Sequence, residues 1–160
     1  MNKTIKITIL VILQIVAVIS IWTRESASDN TPIVFVKDHA VIRTAHGQWP
    51  ISIEVARTER EQEHGLMFRK SLPKNYGMLF LWDEDIVIGM WMKNTLVPLD
   101  MLFIDTHGRI INIARNAKPN STDNITAGAP VRGVLEIEAG MADAHHIAIG
   151  DTITHPHFKP

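Results

Sequence analysis

The chain has 160 residues, room for one domain and little more. Hydrophobic residues make up 46% and charged residues 21%, an ordinary globular composition. Net charge is −1, and from Asp29 onward 13 Lys and Arg stand against 16 Asp and Glu, or −3; this argues against the basic surface that nucleic acid requires. With no cysteine there is no disulfide, no thiol nucleophile and no cysteine metal site.

Lys3 and Lys6 precede an apolar run over residues 7–22 that is interrupted only by Thr8, Gln14 and Ser20. The run is slightly long for the core of a signal peptide and slightly short for a spanning helix. Residues 1–28 are therefore expected to export the domain to the periplasm or the outer face of the cytoplasmic membrane. Two fates stay open: cleavage at the small-x-small site Ser26-Ala27-Ser28, or retention as an anchor with Trp22 at the interface. No cysteine is present to carry a lipid, so a lipoprotein is excluded.

Residues 29–50 read as a linker and first strands, 51–154 as the core domain and 155–160 as a tail. Short β-like runs alternate with turn signals. Residues 33–36 predict a strand; 40–44 and 51–56 flank Ala45-His46-Gly47-Gln48, which suits a hairpin. Ile51, Ile53 and Val55 alternate with Ser52, Glu54 and Ala56, the pattern of a half-buried strand. Thr58-x-x-Glu61 is a capping box that opens a surface helix, and Gly65 closes it. Strands are expected at 78–82, 86–92, 101–105 and 109–114, with a tight turn at Asp105-Thr106-His107-Gly108. Residues 116–130 form a long polar loop; 131–139 predict a strand, 141–146 a helical turn and 147–154 a last strand. About eight short strands and one helix suit a sandwich or small barrel better than a βαβ arrangement.

A set of ordered blocks carries a resemblance. Val55-Ala56-Arg57-Thr58, Gly65-Leu66-Met67-Phe68-Arg69 and Gly77-Met78-Leu79-Phe80 come first. Trp91-Met92-Lys93-Asn94-Thr95, Pro98-Leu99-Asp100, Phe103-Ile104-Asp105, Val134-Leu135-Glu136 and Gly150-Asp151 follow. Over residues 51–154 the chain resembles the domain-of-unknown-function-192 family of small bacterial and archaeal proteins. Met90 departs from that pattern, where an aromatic usually precedes the tryptophan, and the loop at 116–130 is individual to this chain. The resemblance implies a mainly β, jelly-roll-like fold and frequent export, and it implies no activity.

Function must be argued from residues. In a strand over 86–93, Ile86, Ile88, Met90 and Met92 would face the core, while Val87, Gly89, Trp91 and Lys93 face away. A turn from Asn94 to Pro98 would return Asp100 towards Lys93. Glu54 and Glu136 lie on the polar registers of their strands, and Arg132 shares the register of Glu136. In one reading Trp91, Lys93, Asn94, Asp100, Glu54, Glu136 and Arg132 line a shallow site whose tryptophan stacks on a sugar or another flat ligand. In the other, Lys93 and Asp100 form an ion pair that pins the turn, stabilising by about 0–1 kcal/mol.

The histidines (His145-His146 and His155-Pro156-His157 near the end, His39, His46, His64 and His107 elsewhere) lack a His-x-x-x-His spacing, and no metal or other cofactor is expected. Neither Gly-x-Ser-x-Gly nor a phosphate loop is present. The leading expectation is a non-catalytic binding or accessory module at the cell envelope, with a glycan or envelope protein as partner. The alternatives are a small hydrolase of envelope polysaccharide with Glu136 or Asp100 as acid–base groups, and an interaction protein that presents the tryptophan face.

Overall fold

The computed structural model describes residues 31–159, so the apolar leader lies outside the described residues. Among the described residues no helix is long and apolar enough to cross a membrane. The body is mainly β. Strands β1 (Val36–Thr44), β2 (Gly47–Ala56), β3 (Tyr76–Ile86), β5 (Leu99–Ile104), β6 (Ile110–Ala117), β8 (Val131–Glu138) and β9 (Thr152–Thr154) form one sheet in the order β6-β5-β8-β3-β2-β1-β9. Two-residue strands β4 (Gly89–Met90) and β7 (Ile125–Thr126) pair separately.

The sheet curls into a half-barrel whose two edges touch at one corner. Arg109 and Thr152 form an antiparallel bridge there, and Ile110 N donates to Asp151 O at 2.8 Å. Of the two expected forms, sandwich or small barrel, the observed sheet is nearer the barrel: a single curled sheet encloses its own core, and among the described residues no second large sheet faces it as a jelly-roll sandwich requires. The concave face buries Ile42, Ile53, Leu79, Leu102, Leu135, Ile137 and Ile153. The convex face carries a second apolar layer, with Met78, Phe80, Met101, Phe103 and Val134 beneath Leu66, Met90, Met92 and Val97. Strands covered on both faces explain why β5 is buried along its whole length.

Local chemistry accounts for the elements. The β1–β2 hairpin pairs Thr44 with Gly47, and His46 N donates to Thr44 Oγ1 at 3.1 Å. Ile51, Ile53 and Val55 are buried on the concave face, as their alternation predicts. Helix α1 (Glu59–His64) has the expected capping box: Glu61 N donates to Thr58 Oγ1 at 3.3 Å, and Thr58 N donates to Glu61 Oε2 at 2.9 Å. The Thr58 N–H, with the Arg57 N–H that also donates to Glu61 Oε2 at 2.9 Å, holds the Glu61 carboxyl below its ordinary value. Gly65, at φ 47°, ends the helix.

Four expectations need correction. β2 and β3 pair in parallel across α1, so one β-helix-β crossover is present after all. The chain over 33–35 is irregular and β1 begins at Val36. The anticipated strand at 86–92 shrinks to β4, within a loop. The last strand is only Thr152–Thr154, preceded by a turn and by α2 (Met141–Ala144). The tail packs as well: Phe158 is buried in the concave core beside Gly133, where a Cβ would meet the Phe158 ring at 3.1 Å.

Candidate functional site

Glu136 is built into the convex layer by register. In β8 it alternates with Leu135 and Ile137, which fill the concave core, and it stands opposite Met78 of β3 and Met101 of β5. Its neighbours across both strands are therefore apolar. Only 4% of the residue is exposed, and its carboxyl has no hydrogen-bond or ion-pair partner among the described residues. Burial alone pushes that carboxyl up to about 8.

Above Glu136 lies a cavity of about 300 Å³. Its walls are the α1 side (Gln62, His64, Leu66), the convex register of β3 (Phe80, Trp82) and the loop around β4 (Ile88, Met90, Trp91, Thr95). Each wall is anchored. Gln62 Nε2 donates to Leu81 O at 2.8 Å, tying α1 to β3. Phe68 N donates to Asn94 O at 2.8 Å, joining the turn after α1 to the loop after Trp91. From the other side the polar loop braces the same segment: Met92 N donates to Ser121 O at 3.0 Å, and Asn120 N donates to Thr95 O at 3.1 Å. Gly89 pairs with Thr126, and a Cβ at Gly89 would lie 1.8 Å from Asn124 Oδ1, so a larger residue there would push the Asn124 side chain aside.

The residues singled out by sequence divide. Trp91, 47% exposed, and Glu136 line the same cavity. Lys93 points to Trp91, with its Nζ 5.3 Å from the ring centroid. Asn94 adopts a left-handed turn (φ 56°), and its Nδ2 lies 3.7 Å from Met67 Sδ. Burial from Val87 to Lys93 alternates as expected, although most of the segment is not a strand.

Asp100 is elsewhere. It pairs with Ile137, so it faces the concave side, and its carboxylate accepts from Asn116 N at 2.9 Å, Gly140 N at 2.9 Å and Ala142 N at 3.0 Å. It makes no ion pair with Lys93: three backbone donors hold it on the opposite face of the sheet. Glu54 shares the convex face but is ion-paired to Arg69, which contacts the Tyr76 hydroxyl at 2.8 Å; burial and the nearby Glu54 raise that phenol. Arg132 is ion-paired to Asp85 at 2.7 Å and donates to Asp83 O. An acid–base pair of Asp100 with Glu136 is thus ruled out by geometry.

Gln62, His64 and Trp82 escaped the sequence reading as cavity residues. Trp82 was detectable in principle, since it continues the Met78, Phe80 register of β3. Nothing in the polar α1 sequence announces that Gln62 faces a cavity. Of the histidines, His155 is buried and lies 3.3 Å from Asp38, His157 contacts Trp82 O at 2.9 Å, and His145 stacks on Trp49 at 3.8 Å. Desolvation lowers His155 and His157, while His39 N donating to its carboxylate lowers Asp38. Among the described residues no group of three or more His, Asp or Glu could hold a metal ion.

A family model, DUF192 (Uncharacterized ACR), matches residues 41–155. The chain belongs to this family. A crystal structure described as a "putative transcription regulator" from Sinorhizobium meliloti 1021 is 37% identical, with TM-score 0.75, covering 78% of this chain and 97% of that one. A protein of unknown function from Novosphingobium aromaticivorans DSM 12444 is 32% identical, with TM-score 0.73, covering 81% and 97%. A search of curated proteins found no match. Both solved structures are thus spanned almost end to end by this chain.

Proposed function

We propose that this DUF192 domain is a small-molecule binding module, with its ligand seated in the convex-face cavity between Trp91 at the mouth and Glu136 at the floor. One observation carries the reading: a buried carboxyl without a protein partner opens into a cavity that three separate segments are fastened together to enclose. The carboxyl keeps its small exposure towards the cavity, and among the described residues no side-chain oxygen is both wholly buried and without a partner; a ligand that enters the cavity can therefore reach it and supply the partner. Aromatic walls with one polar group at the base are the ordinary make-up of such sites. The Asp100 carboxylate that the hydrolase reading would set beside Glu136 lies on the opposite face of the sheet, and this favours binding over catalysis.

We further propose that the leader exports the domain, and that the ligand is a component of the cell envelope, where a glycan could stack on the exposed Trp91 ring. The regulator description of the Sinorhizobium protein is not extended to this chain, whose charge from Asp29 onward is −3. The test is a thermal-shift screen of the full chain against envelope glycan fragments and small polar metabolites, repeated with Trp91→Ala and Glu136→Gln. A ligand that binds the native chain raises Tm in proportion to its occupancy. Protection that is lost in both variants supports the site; protection retained in both places the ligand elsewhere. An export-dependent reporter fused after Pro160 tests the leader, and activity of only a cytoplasmic reporter there would overturn export.

A further inference from the structure

Given that binding reading, we infer that the group this cavity takes is an organic ammonium ion, held between the Glu136 carboxylate and the aromatic walls. Three observations on the lining support it. First, its formally charged side chains are Glu59, Glu63 and Glu136, with no lysine or arginine among them. An anionic ligand would meet the Glu59 and Glu63 carboxylates at the rim and find no lysine or arginine to balance them. Second, Phe80, Trp82 and Trp91 contribute aromatic surface, with Met67 and Met90 beside them. Ring faces attract ammonium groups, most strongly where water is excluded. Trp91 already shows this attraction in the approach of Lys93 Nζ to 5.3 Å from its ring centroid. Third, the carboxyl at the floor is unpartnered and nearly fully buried, so a cation is the one ligand group that supplies it with both a counter-charge and hydrogen-bond donors.

A neutral ligand would serve the hydrogen bond but make no use of the acidic rim. Asp100 shows how this fold satisfies a buried carboxylate when no ligand is intended: it gives it three backbone N–H groups.

The assignment has a thermodynamic signature. Burial keeps the proton on Glu136 up to about 8, and an ammonium ion that engages the carboxylate must displace that proton. Binding therefore releases about one proton at neutral pH, and Kd tightens about tenfold per pH unit between pH 6 and 8 before levelling off. The other charged or titratable residues lining the cavity with Glu136 are Glu59, Glu63 and His64, all from α1. Its strand neighbours Met78 and Met101 do not titrate. Arg132 and Glu54, on the same sheet face, are engaged by Asp85 and Arg69. His64→Gln separates a contribution of the imidazole from that of Glu136.

The experiment titrates the full chain with 2-phenylethylammonium, 2-phenylethanol and phenylacetate, three probes of nearly equal shape and different charge. Binding is read by calorimetry and by the indole N–H resonances of Trp82 and Trp91. The expected result is that the ammonium binds at least tenfold tighter than the alcohol at pH 8, while phenylacetate does not bind. The pH slope should persist in His64→Gln, and both the slope and the preference for ammonium should vanish in Glu136→Gln. Equal or tighter binding of the alcohol, unchanged in Glu136→Gln, would overturn the ammonium assignment and leave the cavity a binding site. Failure of every probe to move either indole resonance would overturn the assignment together with the binding reading beneath it.

Discussion

Asp100 and Glu136 are buried carboxyls on adjacent strands, one on each face of the same sheet, and their surroundings are opposite. Asp100 sits on the concave face at the junction of three chain segments, where Asn116, Gly140 and Ala142 each turn an amide towards it. The protein has replaced its water completely, so it acts as a clasp that fixes the start of α2 and the end of β6. Glu136 sits on the convex face between two methionines, and its side of the sheet is roofed by a loop and the end of a helix rather than by amide donors. Burial alone therefore does not separate scaffold from site. What separates them is whether the fold itself supplies the partners.

The largest expected effect is on the concave side. Asp100→Ala strands three backbone donors in the interior and should destabilise the chain by about 3–5 kcal/mol in a urea titration. A loss under about 1 kcal/mol would show that those amides find other partners. Ile53→Ala, in the enclosed core, should cost about 2–5 kcal/mol. A change below about 0.5 kcal/mol would place that side chain outside the core.

On the convex side the sign reverses. In the unfolded chain Glu136 loses its proton near pH 4.3, whereas the folded protein holds it up to about 8. Between those values the folded state binds more protons, so native stability falls as pH rises through the window and levels off above it. Glu136→Gln removes this penalty. Relative to the native chain it should be close to neutral at pH 4, and more stable by about 2 kcal/mol or more at pH 8. A variant that gains no stability over the native chain between pH 4 and pH 8 would mean that the carboxyl is solvated after all. The smallest effect belongs to the rim: Lys93→Ala breaks one exposed contact with Trp91 and should change stability by about 0.5–1 kcal/mol or less. Unfolding on that substitution would restore to Lys93 the structural role that Asp100 does not share.

Much of this arrangement was legible in the residues. The alternation at Ile51, Ile53 and Val55 set a strand with its buried side correctly. The capping box at Thr58 and Glu61 fixed the start of α1 to the residue, because both signals are local and depend on neighbours in sequence. The alternation through Met90, Trp91 and Met92 gave the right burial even where no strand formed, since a loop lying flat on a sheet also turns successive side chains in and out. Asp100 and Glu136 were not separable from sequence. The partners of Asp100 lie 16, 40 and 42 residues away along the chain, and what marks Glu136 is the absence of such partners. The parallel β2–β3 pairing was hidden for a related reason: a six-residue polar helix gives little hint that the chain crosses over it.

The most direct test is a carboxyl-carbon NMR titration of the full chain from pH 3 to 10, with the Glu136 resonance assigned by its loss in Glu136→Gln. A midpoint near 8 is expected, moving downward when a bound ammonium ion fills the cavity. A midpoint near 4.3, the value of a water-exposed glutamate, would contradict an unsolvated Glu136 at the floor of the cavity.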